Sequence, residues 1–538
     1  MSKKGQALIL CYIIIAAFIA FLAILSSKAI SERNISTRNK LNAEALYLAE
    51  GAIENSISSF TAAIANYQLA PDAASYNVTT TFSTFGGAAI NTTITRLEST
   101  DRVILEGSTN VLVRNYEITT TVTHPQNNNI TVTLHQIIAR RLIPTFQHSV
   151  FYNDDLEILP GSNMTLSGRL HSNKDMYLDA ESGATLTIDS TYLRSAGNIY
   201  NQRKNNGGQH LLGNVAIKVN DGSGTYQNMN QSGVELDCND TNWETASQTR
   251  WAGSVQSAVH GVNKLTAPAV ASTQPSGYYA NNANVVVENG IITKGGTVLT
   301  EGVDYPEGTI TTNIDLYNYR EGKYIKSTDI DLGKLSGVGY TKADGSAYSN
   351  NLPSNGLLYA TRNDAGTTYE PGIRLVNGDT INRDTGLTVV TNDPLYIQGD
   401  FNTDSKKPAS IISDSLNLLS NSWNDDNSAS GLSSRIASET TYNCAFIAGI
   451  KTTTDSSYNG GLENYPRLHE NWSSKNLNIT GSFVALWNSS IATGNWGSAS
   501  YSPPKRYWYY DTGFNTTSNL PPFTPMAVEA QRIAWWKD

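Results

Sequence analysis

The feature that most constrains this chain is the run from Ala7 to Leu25, which contains no charge, no Pro and no Gly. At ~1.5 Å per residue it reaches roughly 28 Å, the hydrocarbon thickness of a bilayer. Lys3 and Lys4 precede it, and the positive-inside rule keeps the N-terminus on the cytoplasmic side and sends everything after Ser27 across the membrane. The helical pattern continues past the run. From Ser27 to Tyr67 there is no Pro and a single Gly, Gly51, and Ile35, Leu41, Ala45, Leu48, Ala52, Ile53, Ile57, Phe60 and Ile64 recur at three- and four-residue spacing. The simplest reading is one helix over 6–70, spanning the membrane at 7–25 and continuing in water.

Three readings compete for this segment. A plain anchor needs only the apolar run. A secretory signal peptide needs a shorter apolar region and a small-x-small cleavage site, which Ser27-Lys28-Ala29 supplies weakly. In the third, a peptidase cuts on the cytoplasmic side between Gly5 and Gln6, so that 1–5 is a leader and the apolar run stays on the protein. Lys3-Lys4-Gly5 before Gln6-Ala7-Leu8-Ile9-Leu10, and the continuing Tyr47-Leu48-Ala49-Glu50-Gly51-Ala52-Ile53-Glu54, fit this third reading best. On these residues the chain resembles the type IV pilus minor pilins of the PilX kind and the related pseudopilins.

That resemblance implies a prepilin-peptidase substrate with a methylated new N-terminus. It also implies packing against other pilins or pseudopilins through Ala7, Leu8, Ile9, Leu10, Ile13, Ile14, Phe18, Phe21 and Leu25. Major pilins carry a Glu at the fifth mature position, which here is Leu10. The departure suggests a low-copy or capping subunit.

Beyond the helix the period changes to two. Asn77–Phe82, Ala89–Thr95, Arg102–Gly107, Tyr116–Thr123 and Ile130–Ile137 read as successive strands, with turns at Gly86-Gly87, Glu98–Asp101 and Pro125–Asn129. A helix followed by such a meander over 76–141 matches the pilin plan. Over 146–200 short apolar strands recur every eight to ten residues, which suggests a β-solenoid without a strict numerical repeat. The stretch 201–386 reads as a loop-rich insertion or lobe. Strand texture returns over 387–538, which again resembles the C-terminal region of PilX-type proteins. Its tail carries Pro503-Pro504, Pro521-Pro522 and Trp535-Trp536 and is expected to strap shut the open end of the β-domain, an exposed aromatic ligand-binding strip being the alternative. The fold class expected is α+β, mainly β: a transmembrane helix, a pilin-like antiparallel sheet and a large solenoid-like head.

Charged residues are 16% of the chain and the net charge is −9, which argues against a nucleic-acid partner. Cys11 lies in the apolar run. Cys238 and Cys444 read either as one disulfide or as two buried free thiols. Gly-x-Ser-x-Gly, phosphate-loop, His-Glu-x-x-His and Cys-x-x-Cys motifs are absent. His171 reads as a turn residue. Asp237–Asn242, Asp400–Asp404 and Asn424–Asn427 are acidic enough to invite calcium but lack its loop spacing, so neither a metal nor a cofactor is expected. The expectation is a non-enzymatic filament subunit of a bacterial inner membrane, its bulk extracytoplasmic on a pilus or cell surface, with a head that starts assembly or meets a surface ligand. The alternatives are a stationary membrane-anchored adhesin and, more remotely, a carbohydrate-active solenoid, which would need an acidic pair in an open groove.

Overall fold

A computed structural model describes residues 3–66, 75–77, 88–106 and 109–538. It is an α+β structure, 39% strand and 21% helix. Its first element is a single α-helix, Lys3–Ala65, 63 residues without a break. The expected helix end around Pro71, most of the Asn77–Phe82 strand and the Gly86-Gly87 turn lie outside the described residues.

The helix buries one stripe along its second half. Leu41, Ala45, Ala49, Ala52, Ile53, Phe60 and Ile64 pack on an antiparallel sheet through Ile94, Tyr116, Ile118, Val122, Leu134 and Ile138. Small residues at 45, 49 and 52 let the helix approach closely, and the larger ones fill the gap further along. The strand order is Ser75–Asn77, Ala89–Arg96, Thr109–Thr123, Thr131–Pro144 and Met526–Lys537, with Arg102–Glu106 paired to the start of the third. The two longest strands change their buried face partway. In Thr109–Thr123, Val111 and Val113 face away from the helix, whereas Tyr116, Ile118 and Val122 face it. One sheet therefore serves two neighbours.

The second neighbour is a three-walled parallel solenoid. Each turn visits the walls in one order: Val150–Tyr152, Leu156–Ile158 and Met164–Ser167 are followed one turn later by Leu170–Ser172, Met176–Leu178 and Thr185–Asp189. The later segment Leu357–Thr361, Glu370–Val376, Gly378–Thr380, then Leu387–Thr391, Pro394–Gln398, Phe401–Asp404, follows the same order. On the first wall, one inward column runs Val285, Leu358, Val389, Ile411, Phe446, Phe483, Val150, Leu170, Leu193, Val255, each residue opposite the next. Asn476–Ala485, late in the chain, thus pairs in parallel with Val150–Tyr152, where the solenoid begins.

The chain enters the solenoid in the middle, winds out to one end at Val255–Gln256, returns to the far end at Val285–Glu288, and winds back to the seam. Both arms progress in the same axial direction, so the head has the strand order of one continuous solenoid that has been circularly permuted. The return segment holds to the flank: the backbone of Leu265 exchanges two hydrogen bonds with the Asn173 side chain, Thr266 bridges Val528, and the Tyr359 hydroxyl donates to the Thr273 carbonyl. The outward side of the first wall, including Phe151, Val484, Ile447, Ile412 and Val390, packs with Val111, Val113, Ala139, Ile143 and Ala527 of the antiparallel sheet.

Three expectations need correction. The stretch 201–386 is not an insertion on the solenoid, because it supplies rungs in both arms: Asn214–Lys218, Val255–Gln256, Val285–Glu288, Lys323–Asp331, Leu357–Thr361 and Glu370–Val376. Its turns are long and polar, and the pairings that make its strands into rungs join turns far apart in the chain. The tail does not cover an open end. Lys505–Tyr510 pairs in parallel with Asn476–Gly481 beside the seam, and Met526–Lys537 then closes the edge of the antiparallel sheet against Thr131–Pro144. The outermost rungs are met by other segments: the helix Trp243–Trp251 with its two buried tryptophans beside Val255–Gln256, and the antiparallel Ile291–Lys294 beyond Val285–Glu288. Finally, His171 lies in strand Leu170–Ser172, buried against His148 and Phe151.

Candidate assembly interface

The helix is built in two halves of opposite character. From residue 41 onward it is part of the head, whereas residues 4–40 are exposed throughout. At ~1.5 Å per residue this free portion extends about 55 Å. Its most apolar 18-residue window has a mean hydropathy of 3.1 and no part buried. Leu8, Ile9, Leu10, Ile13, Ile14, Phe18, Phe21 and Leu25 are each about half or more exposed, as is Leu10 at 59%. Ala7, Gln6 and Gly5 lie in the same helix, and a Cβ on Gly5 would meet nothing. The sequence places these side chains all around the axis, so the run has no polar face to turn to water. Such a helix is stable only in lipid or among other apolar helices.

The polar collar between the run and the head is charged and locally paired. Lys28 lies 3.9 Å from Glu32, and Lys40 lies 3.8 Å from Glu44, each one turn apart. Glu44 also accepts from the His124 ring at 3.1 Å, joining the helix to the turn between two sheet strands. Where the helix meets the last strand, the exposed Arg532 pairs with Glu54, and Tyr47, Glu50, Ile53, Gln136 and Trp535 surround a surface hollow.

The remaining predicted site residues serve the head itself. Cys238 and Cys444 are free thiols. Cys238 accepts from the Ile199 amide at 3.0 Å in one arm, and Cys444 lies buried in the other, where burial pushes its thiol well up. The disulfide reading therefore fails because the two belong to opposite arms. In the acidic stretches, Asp237 accepts from the amides of Asn201 and Asn239, Asp400 from that of Thr441, and Asp425 from Arg374 at 2.9 Å. Among the described residues no group of three or more His, Cys, Asp or Glu could hold a metal.

Sequence reasoning missed a set of acids buried in the turns of the solenoid. Glu157, Glu370, Asp393 and Glu470 are pushed up to about 7, 8, 7 and 7 by burial. Glu463 is raised for the same reason and sits near Glu157. Its oxygens accept from the Leu159 amide at 2.9 Å and from the Tyr458 hydroxyl at 2.8 Å, and a Glu157 oxygen accepts from Thr453 at 2.5 Å. Asp393 accepts from the Arg362 amide and Glu470 from Ser420, so these two, with Glu157 and Glu463, join segments far apart in the chain. No local pattern marks them, because most of these partners lie on another turn of the winding.

Neither a family model nor a curated protein matches the chain. Among solved structures it is similar to the competence-associated pilin ComZ from Thermus thermophilus, at 9% identity over 92% of this chain and 97% of that one, with a TM-score of 0.28. A superposition that loose assigns no shared fold.

Proposed function

We propose that the protein is a minor-pilin-like subunit of a type IV pilus or related secretion filament. The observation that carries this reading is the helix itself: one unbroken element whose outer half is built into the head and whose inner half holds the wholly apolar, exposed run from Ala7 to Leu25. A plain tether needs no such rigid continuity. A subunit that must leave the bilayer and enter a helical bundle without losing the position of its head does.

In this reading the peptidase cuts between Gly5 and Gln6, and Ala7 to Leu25 exchange lipid for the apolar helices of neighbouring pilins. The exchange costs little, since apolar surface leaves one apolar medium for another. Leu10 brings no carboxylate to pair with a neighbour's amine, and the head is wide, which together favour a tip or low-copy position. The work of the protein is packing and presentation, not catalysis.

The deciding measurement is the mass of the N-terminal peptide from membranes and from sheared filaments. A methylated peptide beginning at Gln6, present in the filament fraction, is the expected result. A peptide beginning at Ile30 would mean a secreted protein, and an intact leader would leave a stationary anchor.

A further inference from the structure

Beside the seam where the two arms of the solenoid meet, the turn after Leu156–Ile158, the loop before Pro466–Leu468 and the segment leading into Lys505–Tyr510 enclose a cavity of 530 Å³. Its wall is of two kinds. Trp496, Tyr501 and Pro503 give flat apolar faces, and Trp496 is 38% exposed. Arg203, Lys505 and Arg506 bring three cations to the same space.

Among the described residues none of these cations forms a salt bridge, while the Arg506 charge partly offsets the burial of the Glu463 carboxyl and its guanidinium lies 5.4 Å from the centre of the Trp508 ring. The Arg203 Nε donates to the Asn205 amide oxygen at 2.6 Å, and an Arg506 terminal nitrogen reaches only the Glu463 carbonyl at 3.4 Å. The Arg506 Nε is buried with no hydrogen-bond partner, and among the described residues none of the three has a carboxylate within ion-pair reach. Of the two acids on the wall, Glu463 is turned to Leu159 and Tyr458, and Glu181 lies exposed near the rim. A buried guanidinium donor left without a partner is costly, and a ligand that supplies one recovers that cost.

The geometry points to a binding site for an anionic saccharide, its acid group held by Arg506, Arg203 and Lys505 and the apolar C–H face of its ring laid on Trp496 or Tyr501. Neither half of the wall selects this ligand alone. Cations alone would take any small anion and aromatic faces alone any sugar, and a sugar carrying an acid group satisfies both. The acid can be a carboxylate, as in a uronate, or a phosphate ester. The site belongs to the head and does not depend on how the stalk is processed.

The test uses the full-length chain in nanodiscs, titrated with a galacturonate tetramer, its methyl ester and glucose 6-phosphate. The ester keeps the ring and removes the charge. Binding of either anion, at least about tenfold weaker for the ester and for the Lys505→Glu and Trp496→Ala variants, is expected. Stronger binding of galacturonate identifies a uronate site, and stronger binding of the phosphate identifies a phosphate-ester site. Both variants change exposed side chains, so their unfolding temperature should match that of the parent. Equal binding of tetramer and ester, no binding of either anion at millimolar concentration, or unchanged binding by folded variants would overturn the assignment.

Discussion

Glu370, 4% exposed, has a carboxyl oxygen with no hydrogen-bond partner, and Glu157, Asp393 and Glu470 are similarly buried. An acid whose value is higher folded than unfolded keeps its proton longer in the native state. Stability is then lost as pH rises from about 4.5 through 7 to 8. His171 and His469 work in the opposite direction: burial lowers them to about 4 and about 3, so stability is lost as pH falls from 6.5 toward those values. The head should be most stable between about pH 4.5 and 6.5, where the two trends oppose each other, and each group's full shift is worth on the order of 3–5 kcal/mol. Glu370→Gln should flatten the alkaline flank by roughly that amount and leave the acid flank alone, as measured by urea unfolding from pH 4 to 9. An identical alkaline slope in the variant would remove Glu370 as its source.

At the level of elements, the helix is held to the sheet by a stripe that alternates close approach with bulk. Ala49 is fully buried where the two backbones come near, and Tyr47, two residues away, is 69% exposed. Ala49→Leu should cost about 1–3 kcal/mol by forcing the helix off the sheet, whereas Tyr47→Ala should cost under about 0.5 kcal/mol. Equilibrium unfolding in detergent separates the two, and equal midpoints would mean that the helix docks more loosely than the packing implies. The final strand makes a different contribution. It pairs along most of Thr131–Pro144 and joins Glu529 to Arg141 at 2.9 Å, so the last element of the chain completes the sheet that the first helix covers.

For the molecule as a whole, the division between stalk and head has a thermodynamic consequence. Residues 4–40 bury nothing in the head, so a chain beginning at residue 36 should unfold at the same temperature as the full-length protein in detergent. It should also remain monomeric where the full chain self-associates on detergent removal, because the exposed run from Leu8 to Leu25 is what drives association. A fall of several degrees on truncation would show that the stalk contributes to the fold of the head.

Much of this was legible in the residues. The three- and four-residue spacing from Leu41 to Ile64 marked the stripe that is buried, since a helix obeys rules local to a few positions. Alternation pointed to strands over 89–95, 102–107 and 116–123 for the same reason, and short recurrent strands after Phe146 pointed to the solenoid. What tertiary structure alone decided is which strand lies beside which. Parallel pairing carries no local signature: Phe483 meets Val150 because a seam must satisfy two open edges, and a return segment made that meeting possible. Within 201–386 the residues at 284–288, 290–293 and 356–360 were legible as isolated strand-like pieces, but the place of the first and last as rungs was not, because neighbouring turns far away in the chain supply the hydrogen bonds. Sequence set the helix, the strands and the apolar stalk through short-range periodicity, and the permuted winding, the buried acids and the cavity beside the seam arose from pairing between residues far apart in the chain.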